Sequence, residues 1–437
     1  MMSGHPMQLS NVPVPLLTTA YKGPLNYIEK VILANMHLIE SWFRDQWQKT
    51  PASITSSVDL RNAAYKLAPV DTNLFPAGFN NLNRAFLPLC VKAMQSVIGG
   101  IMPTCTKILT IPESHTRNQY YLQSLNMLRT ILLNAGFMVR IGSLDPTVLA
   151  PVEINVANES YLIEPLRRLG SRVGLDDFDP CFLLLNNDLS LGIPEILSGI
   201  EQAIYPTEKI GWSSRLKSSH FQFFNAVSSE FAQLVQIDPW LINPLFAAVD
   251  SLDFMTQTGL ESLADVIDEM LVKLRQYYAK YEITDRPFIA IKADNGTYGM
   301  GVMMVHSGQD VLTLNRRART NMSGSKGGRR VSRVIVQEGI YSCERMLTGA
   351  VAEPVVYMIG QFVVGGFYRV HNDMGNGDNL NSPGMHFEPL AFADVCNMPC
   401  ANFNHMSYTN RFYVYGVIAR LAALAAAREI AALGSKV

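Results

Sequence analysis

Phe288-Ile-Ala-Ile-Lys292 is a short apolar run that closes on a lysine and leads into Ala-Asp-Asn-Gly296-Thr-Tyr298-Gly299-Met-Gly301. A strand feeding a turn with glycines at 296, 299 and 301 lets backbone N–H groups approach phosphate oxygens closely, because no Cβ stands in the way. Lys292 adds a point charge to that cradle. Alone, the pattern also describes an ordinary hairpin joining residues 288–293 to 302–306. Its sequel is more telling. Val334–Ile340 reads as a buried strand carrying the polar pair Gln337-Glu338, suited to a hinge that meets an adenine edge and a ribose. A two-strand hairpin then opens near Glu353 and ends at Arg369 and His371, and Asn379-x-Asn381 follows. Phosphoryl transfer needs this kind of set, since positioning and charge neutralisation do most of its catalysis without a protein nucleophile. No convincing Ser-His or Cys-His pairing competes with it.

The elements that must position these groups are legible from periodicity. Apolar residues from Ile28 to Trp47, with Pro24 upstream, predict one amphipathic helix over 27–47. Strand 107–111, helix 119–134 closed by Gly136, and strand 137–141 form a predicted βαβ unit. A third strand, 181–185, ends in Asn186-Asn187-Asp188, where ligands commonly sit at the carboxyl edge of open sheets. Helix 261–281 leads into the Phe288 strand, and Val414–Leu433, interrupted by Arg420, Arg428 and Glu429, reads as a buried terminal helix. Residues 314–333, rich in Gly, Ser and positive charge, are expected to be an exposed, mobile loop. They serve either as plain surface or as a lid whose Arg316, Arg317, Lys326, Arg329 or Arg330 closes over phosphates.

With 437 residues, 48% apolar, and a formal net charge of −1, the chain can bury a large core and has no global field to draw it to nucleic acid or an anionic membrane. Its anion must be met by local charge, and a nucleotide fits. Six scattered cysteines read as reduced thiols, Cys396 and Cys400 included. The N-terminus resembles neither a secretory leader nor a transit peptide, so a cytoplasmic protein is expected.

The order of these pieces resembles the ATP-grasp superfamily. In detail the chain resembles the proteobacterial glutamate–cysteine ligase family of iron- and sulfur-oxidising bacteria, over nearly its whole length. The most specific segments are Lys66–Asn81, Ile111–Asn118, Gly211–Phe221 and Asp378–Gly384. The resemblance implies an α/β (α+β) fold: a helical N-terminal region (1–105), a βαβ-containing domain (106–205) and an ATP-grasp domain (206–437). It implies an ADP-forming ligase that uses ATP and Mg²⁺ to join L-glutamate to L-cysteine, the first step of glutathione biosynthesis. Another ATP-grasp carboxylate–amine ligase, a carboxylate kinase, or a nucleotide-binding regulatory protein without turnover are the alternatives.

Carried over on the matching residues, Lys217 and Lys292 reach the phosphates, and Gly296, Tyr298, Gly299 and Gly301 line them. Gln337 and Glu338 form the adenosine hinge. Arg369, with Lys292, steadies the transferred phosphoryl group, while Glu353, Asn379 and Asn381 are oxygen donors suited to Mg²⁺. Where many ATP-grasp enzymes have Glu-x-Asn, this chain has Asn379-x-Asn381. Amino-acid recognition needs a carboxylate for the amine and an arginine or backbone donors for the α-carboxylate. Asp59, Arg61, Asp71, Asn73, Asn80, Glu113 and Arg117 are the candidates. His220 and His371 read as hydrogen-bonded core histidines, and Met300, Met303 and Met304 as packing. No nucleic-acid or membrane partner is expected, and a homo-oligomer is the base expectation.

Overall fold

Alternation of side chains along the strands gives two of the sheets one face toward a hydrophobic core and another toward a cleft. The computed structural model describes residues 24–114, 118–156, 159–295, 301–324, 330–389 and 411–434. One antiparallel sheet runs β17 (His386–Pro389), β16 (Phe362–His371), β15 (Val351–Ile359), β1 (Thr55–Asn62), β2 (Leu67–Asn73). Val58, Leu60, Val356, Met358, Tyr368 and Val370 turn one way, onto α9 (Arg411–Gly434) and α5 (Lys217–Val235), in the largest core. Asp59, Arg61, Glu353 and Arg369 lie at the intervening positions and line a cleft.

A second antiparallel sheet has the order β11 (Phe246–Val249), β14 (Val334–Glu338), β12 (Ile289–Ala293), β13 (Val302–Val305). Ile289, Ile291, Val305, Val334 and Val336 pack on α6 (Leu260–Lys280). Ala290, Lys292, Val302, Met304 and Gln337, at the alternate positions, line the same cleft. The cleft thus lies between the polar faces of two sheets whose other faces are anchored in separate cores.

The third sheet, β10 (Ile204–Tyr205), β9 (Phe182–Asn186), β3 (Lys107–Pro112), β4 (Met138–Ser143), β6 (Glu159–Pro165), β5 (Val152–Val156), is parallel except for its β5–β6 edge. Helix α4 (Gln119–Asn134) connects β3 to β4, the expected βαβ unit, and packs with α3 (Leu87–Ile101). A short ribbon, β7 (Arg167–Leu169) with β8 (Arg172–Gly174), follows it. The chain is therefore a mixed helix and sheet protein.

Two expectations need correction. The single helix 27–47 is two, α1 (Tyr27–Ala34) and α2 (Met36–Lys49). Asn35 breaks it: its amide donates to the Val31 carbonyl at 2.9 Å, a local bond that competes with continuing the helix. Residues 314–333 are not a featureless loop, because α7 (Gln309–Leu312) is followed by α8 (Arg316–Ser323), whose N-terminus is capped by Asn315 Oδ1 accepting from Ala318 N at 2.9 Å. Arg316 and Arg317 are thus helical, while Lys326 and Arg329 lie outside the described residues. The terminal helix α9 is buried as expected, and among the described residues no helix is long and apolar enough to cross a membrane. The helix-rich first 105 residues also supply β1 and β2, which share a sheet with strands from residues 351–389.

Candidate active site

Lysine has reason to sit on β12 only if its charge has partners, because its strand neighbours are core. Lys292 Nζ donates to the Val70 carbonyl at 2.9 Å and to Gln337 Oε1 at 2.7 Å. Burial pushes its pKa down to about 8, against the pull of Asp71. Gln337 is fully buried, and with its oxygen taken by Lys292 its Nε2 is left without a partner. Such an amide is a donor waiting for an acceptor. Phe288, Ala290, Val302, Met304 and Ile340 give this side of the cleft an apolar lining fit for an aromatic base. Gly339 belongs here for space: a Cβ would come 2.2 Å from the Phe288 ring.

Lys217 begins α5. Its Nζ lies 2.7 Å from Asp71 Oδ1 and 4.4 Å from the centre of the Trp212 ring. Burial would raise Asp71, but Lys217 and Lys292 outweigh it and hold the carboxyl at about 2. Lys217 and Lys292 are therefore neighbours, joined through one aspartate, although 75 residues apart in sequence.

The opposite wall is a chain of charges. Arg61 Nε meets Glu353 Oε2 at 2.7 Å; Arg369 Nη1 meets the other Glu353 oxygen and Asp59 Oδ2, the latter at 2.9 Å. Burial would raise Glu353, yet Arg61 and Arg369 bring it below the usual carboxylate range; burial raises Asp59 in spite of Arg369. Arg369 is raised above its ordinary value because Asp59 and Glu353 outweigh burial, and its Nε has no partner. Asn379 and Asn381 close this end of the cleft.

Of the residues singled out from the sequence, Asp59, Arg61, Asp71, Lys217, Lys292, Gln337, Glu338, Glu353, Arg369, Asn379 and Asn381 all line that cleft. Gly301 has φ +62, the left-handed conformation a glycine allows. Gly296, Tyr298, Gly299 and Arg117 lie outside the described residues. Arg61 is largely engaged by the protein: beyond Glu353 it donates to the carbonyls of Ile340, Asn376 and Asp378, at 3.3, 3.0 and 2.6 Å, four bonds for its five N–H groups. Asn73 Oδ1 accepts from Phe75 N at 2.9 Å, a turn role. Asn80 lines a separate cavity between α3 and α4, with Asn126 and Glu159. Glu113 accepts from Asp188 N at 2.8 Å, tying the ends of β3 and β9. The Asn186-Asn187-Asp188 edge is likewise used up internally, by Tyr121, Pro76, Pro112 and Ser190.

The model of the glutamate–cysteine ligase family matches residues 29–430. The chain belongs to the glutamate–cysteine ligase family. A crystal structure of a provisionally named gamma-glutamylcysteine synthetase from Methylobacillus flagellatus KT is 53% identical, covers 96% of this chain and 99% of its own, and superposes with a TM-score of 0.85. A glutathione synthetase-like effector from Globodera pallida (11% identity, 83% and 86% coverage) gives 0.36, and a D-alanyl-alanine synthetase A from Vibrio cholerae (11%, 73% and 81%) gives 0.33. No curated protein matches by sequence. As a member of this family the ligase joins glutamate to cysteine at the expense of ATP.

Two buried residues behind the lining of the cleft were given no role from the sequence. Lys66 is fully buried; its Nζ donates to Glu338 Oε2 at 2.9 Å and to the Asn243 carbonyl at 3.0 Å, 4.1 Å from the Trp240 ring centre. Burial pushes Lys66 down to about 8 and raises Glu338, so each charge depends on the other. A lysine in the β1–β2 turn reads as solvated, and no local signal separates it from a surface residue. Asp294, just after Lys292, is the other. The buried histidines behave as expected: His220 lies 2.9 Å from Thr72 Oγ1 and 3.3 Å from Glu429, and His371 3.0 Å from the Pro383 carbonyl. Cys90, Cys105, Cys181 and Cys343 are free thiols; Cys396 and Cys400 lie outside the described residues.

Proposed function

We propose that the cleft works in the ATP-grasp manner, holding ATP between the two sheets and activating the side-chain carboxylate of L-glutamate as γ-glutamyl phosphate, which the amine of L-cysteine then attacks. One observation carries this: Lys217, Lys292 and Arg369, far apart in sequence, line one cleft beside an apolar wall. The base lies against Phe288, Val302, Met304 and Ile340, with Gln337 Nε2 donating to it or to the phosphates and Glu338 at the ribose end. Lys217, Lys292 and the loop of Gly296, Tyr298, Gly299 and Gly301 take the phosphates. Arg369, already fixed by Asp59 and Glu353, meets the γ-phosphoryl oxygens as charge builds on them. Asp59 and Asp71, each already bonded through one oxygen to Arg369 or Lys217, are the carboxylates whose other oxygen meets a substrate amine.

Carboxylate and carboxamide oxygens are the hard donors that magnesium takes. Asn379 and Asn381 would hold it, with Glu353 beside them still gripping two arginines. Bound there, magnesium would neutralise phosphate charge and orient the chain of phosphates.

Residues 206–437 form the nucleotide-binding domain in this reading, 106–205 the α/β domain before it, and 1–105 the substrate side. The ligase works in the cytoplasm, where ATP and reduced cysteine are available. ADP release with ATP, Mg²⁺ and glutamate, with and without cysteine, tests the proposal when combined with product mass. Cysteine-dependent ADP and a γ-glutamylcysteine mass are expected. ADP without cysteine would make this a carboxylate kinase.

A further inference from the structure

The two lysines of the cleft come from different elements, and a phosphate can use both only if their separation is fixed. Lys217 opens α5, and Lys292 is the penultimate residue of β12; nothing in their own backbones joins them. The junction is Asp294, whose side chain is fully buried. Its backbone carbonyl accepts from Lys217 N at 2.7 Å, and its Oδ1 accepts from Ser218 N at 2.7 Å. Its Oδ2 accepts from Ser218 Oγ and from Arg333 Nε, both at 2.6 Å, while its own N–H donates to the Arg333 carbonyl at 3.1 Å. Arg333 in turn chelates Asp250 at 2.7 Å to each oxygen and immediately precedes β14, the strand of Gln337 and Glu338.

Helix α5 makes this contact necessary. Its N-cap residue is Leu216, which has no side-chain acceptor, so the first-turn N–H of Ser218 would be orphaned in a buried setting. Asp294 supplies from another strand the acceptor that Ser, Thr, Asp or Asn would ordinarily supply at the cap. The helix start and the strand end are thereby locked, and with them Lys217 and Lys292.

We infer that Asp294 is a positioning residue that sets the spacing of the two phosphate-binding lysines and the entry to β14, and so governs ATP binding without touching the nucleotide. This rests on the proposed role of Lys217 and Lys292. The test is steady-state kinetics for each of the three substrates on Asp294→Ala, Asp294→Asn and Ser218→Ala, with Lys217→Ala and Lys292→Ala in parallel.

For Asp294→Ala the expected result is a KM for ATP raised roughly tenfold or more, as a lost charge-assisted bond implies, with KM for glutamate and cysteine within about twofold. Asp294→Asn, which keeps the acceptor for Ser218 N but gives up the carboxylate oxygen that Arg333 holds, should recover part of the loss, and Ser218→Ala should show the same selectivity at a smaller size. Equal rises in all three KM values, or a lowered melting temperature with an unchanged KM for ATP, would overturn the inference. If Asp294→Ala fails to fold, Asp294→Asn and Ser218→Ala decide by the same criterion. Lysine variants with unaltered ATP kinetics would instead sink the proposed phosphate site; altered lysine variants beside unaltered Asp294 variants would sink only this inference.

Discussion

The two walls of the cleft solve the problem of buried polarity in opposite ways. On the five-stranded sheet, Arg61, Glu353, Arg369 and Asp59 pair with one another in an alternating chain of charge before any ligand arrives, with Arg369 Nε left over. On the four-stranded sheet the polar groups are few and set among apolar side chains, and Gln337 is left with an unanswered donor. The first wall is stiff and preorganised, because moving any member exposes another buried charge. The second is shaped by its apolar lining and carries Lys292, whose charge is only marginally favourable. Catalysis at a phosphoryl group asks for the first, and binding a flat base with a charged tail asks for the second.

The largest effect should break the preorganised wall. Arg369→Lys loses the guanidinium that holds Asp59 and Glu353 through Nη1 and keeps Nε for a further acceptor, and kcat should fall by about 10³-fold with ATP affinity little altered; near-normal kcat would deny Arg369 its role. Next comes Glu353→Gln, which strands Arg61 and Arg369 in a buried site. Loss of about 3 kcal/mol in denaturant unfolding is expected, together with lost turnover. A variant of native stability would show that the chain of charges is not interdependent.

The other wall should respond to pH. Lys292 holds its proton below about 8 and loses it above, so kcat/KM for ATP, which reports the free enzyme, should decline as pH rises through about 8. Lys292→Arg should move that decline to higher pH. A decline left in place would assign it to another group, Lys66 being the buried lysine of similar pKa. The smallest effect belongs outside both walls: Glu113→Ala removes the acceptor for Asp188 N and should lower stability by about 1 kcal/mol with kinetics unchanged. A change in the KM of either amino acid would return Glu113 to the substrate site.

Local pattern carried much of the fold. Strands β3, β12, β14, β15 and β16 and helices α4, α6 and α9 follow from periodicity, since a 3.6- or 2-residue repeat needs only neighbours in sequence to be visible. Asn35 and the capped helix α8 were misread because one side-chain bond each, to Val31 and Ala318, tipped the local balance.

Within the cleft, the sequence alone determined which residue types could meet phosphate, base and metal, and family resemblance gave their order. Tertiary structure decided which of them are free to do so. Arg61 looks from the sequence like a carboxylate binder, yet its donors end on Glu353 and three carbonyls drawn from residues 340–378. Lys66 looks like a solvated turn lysine, yet it is buried against Glu338. Both outcomes depend on partners roughly 270 to 320 residues away in the chain, and a charge's function is fixed by what neutralises it once water is gone, a quantity that no local pattern contains.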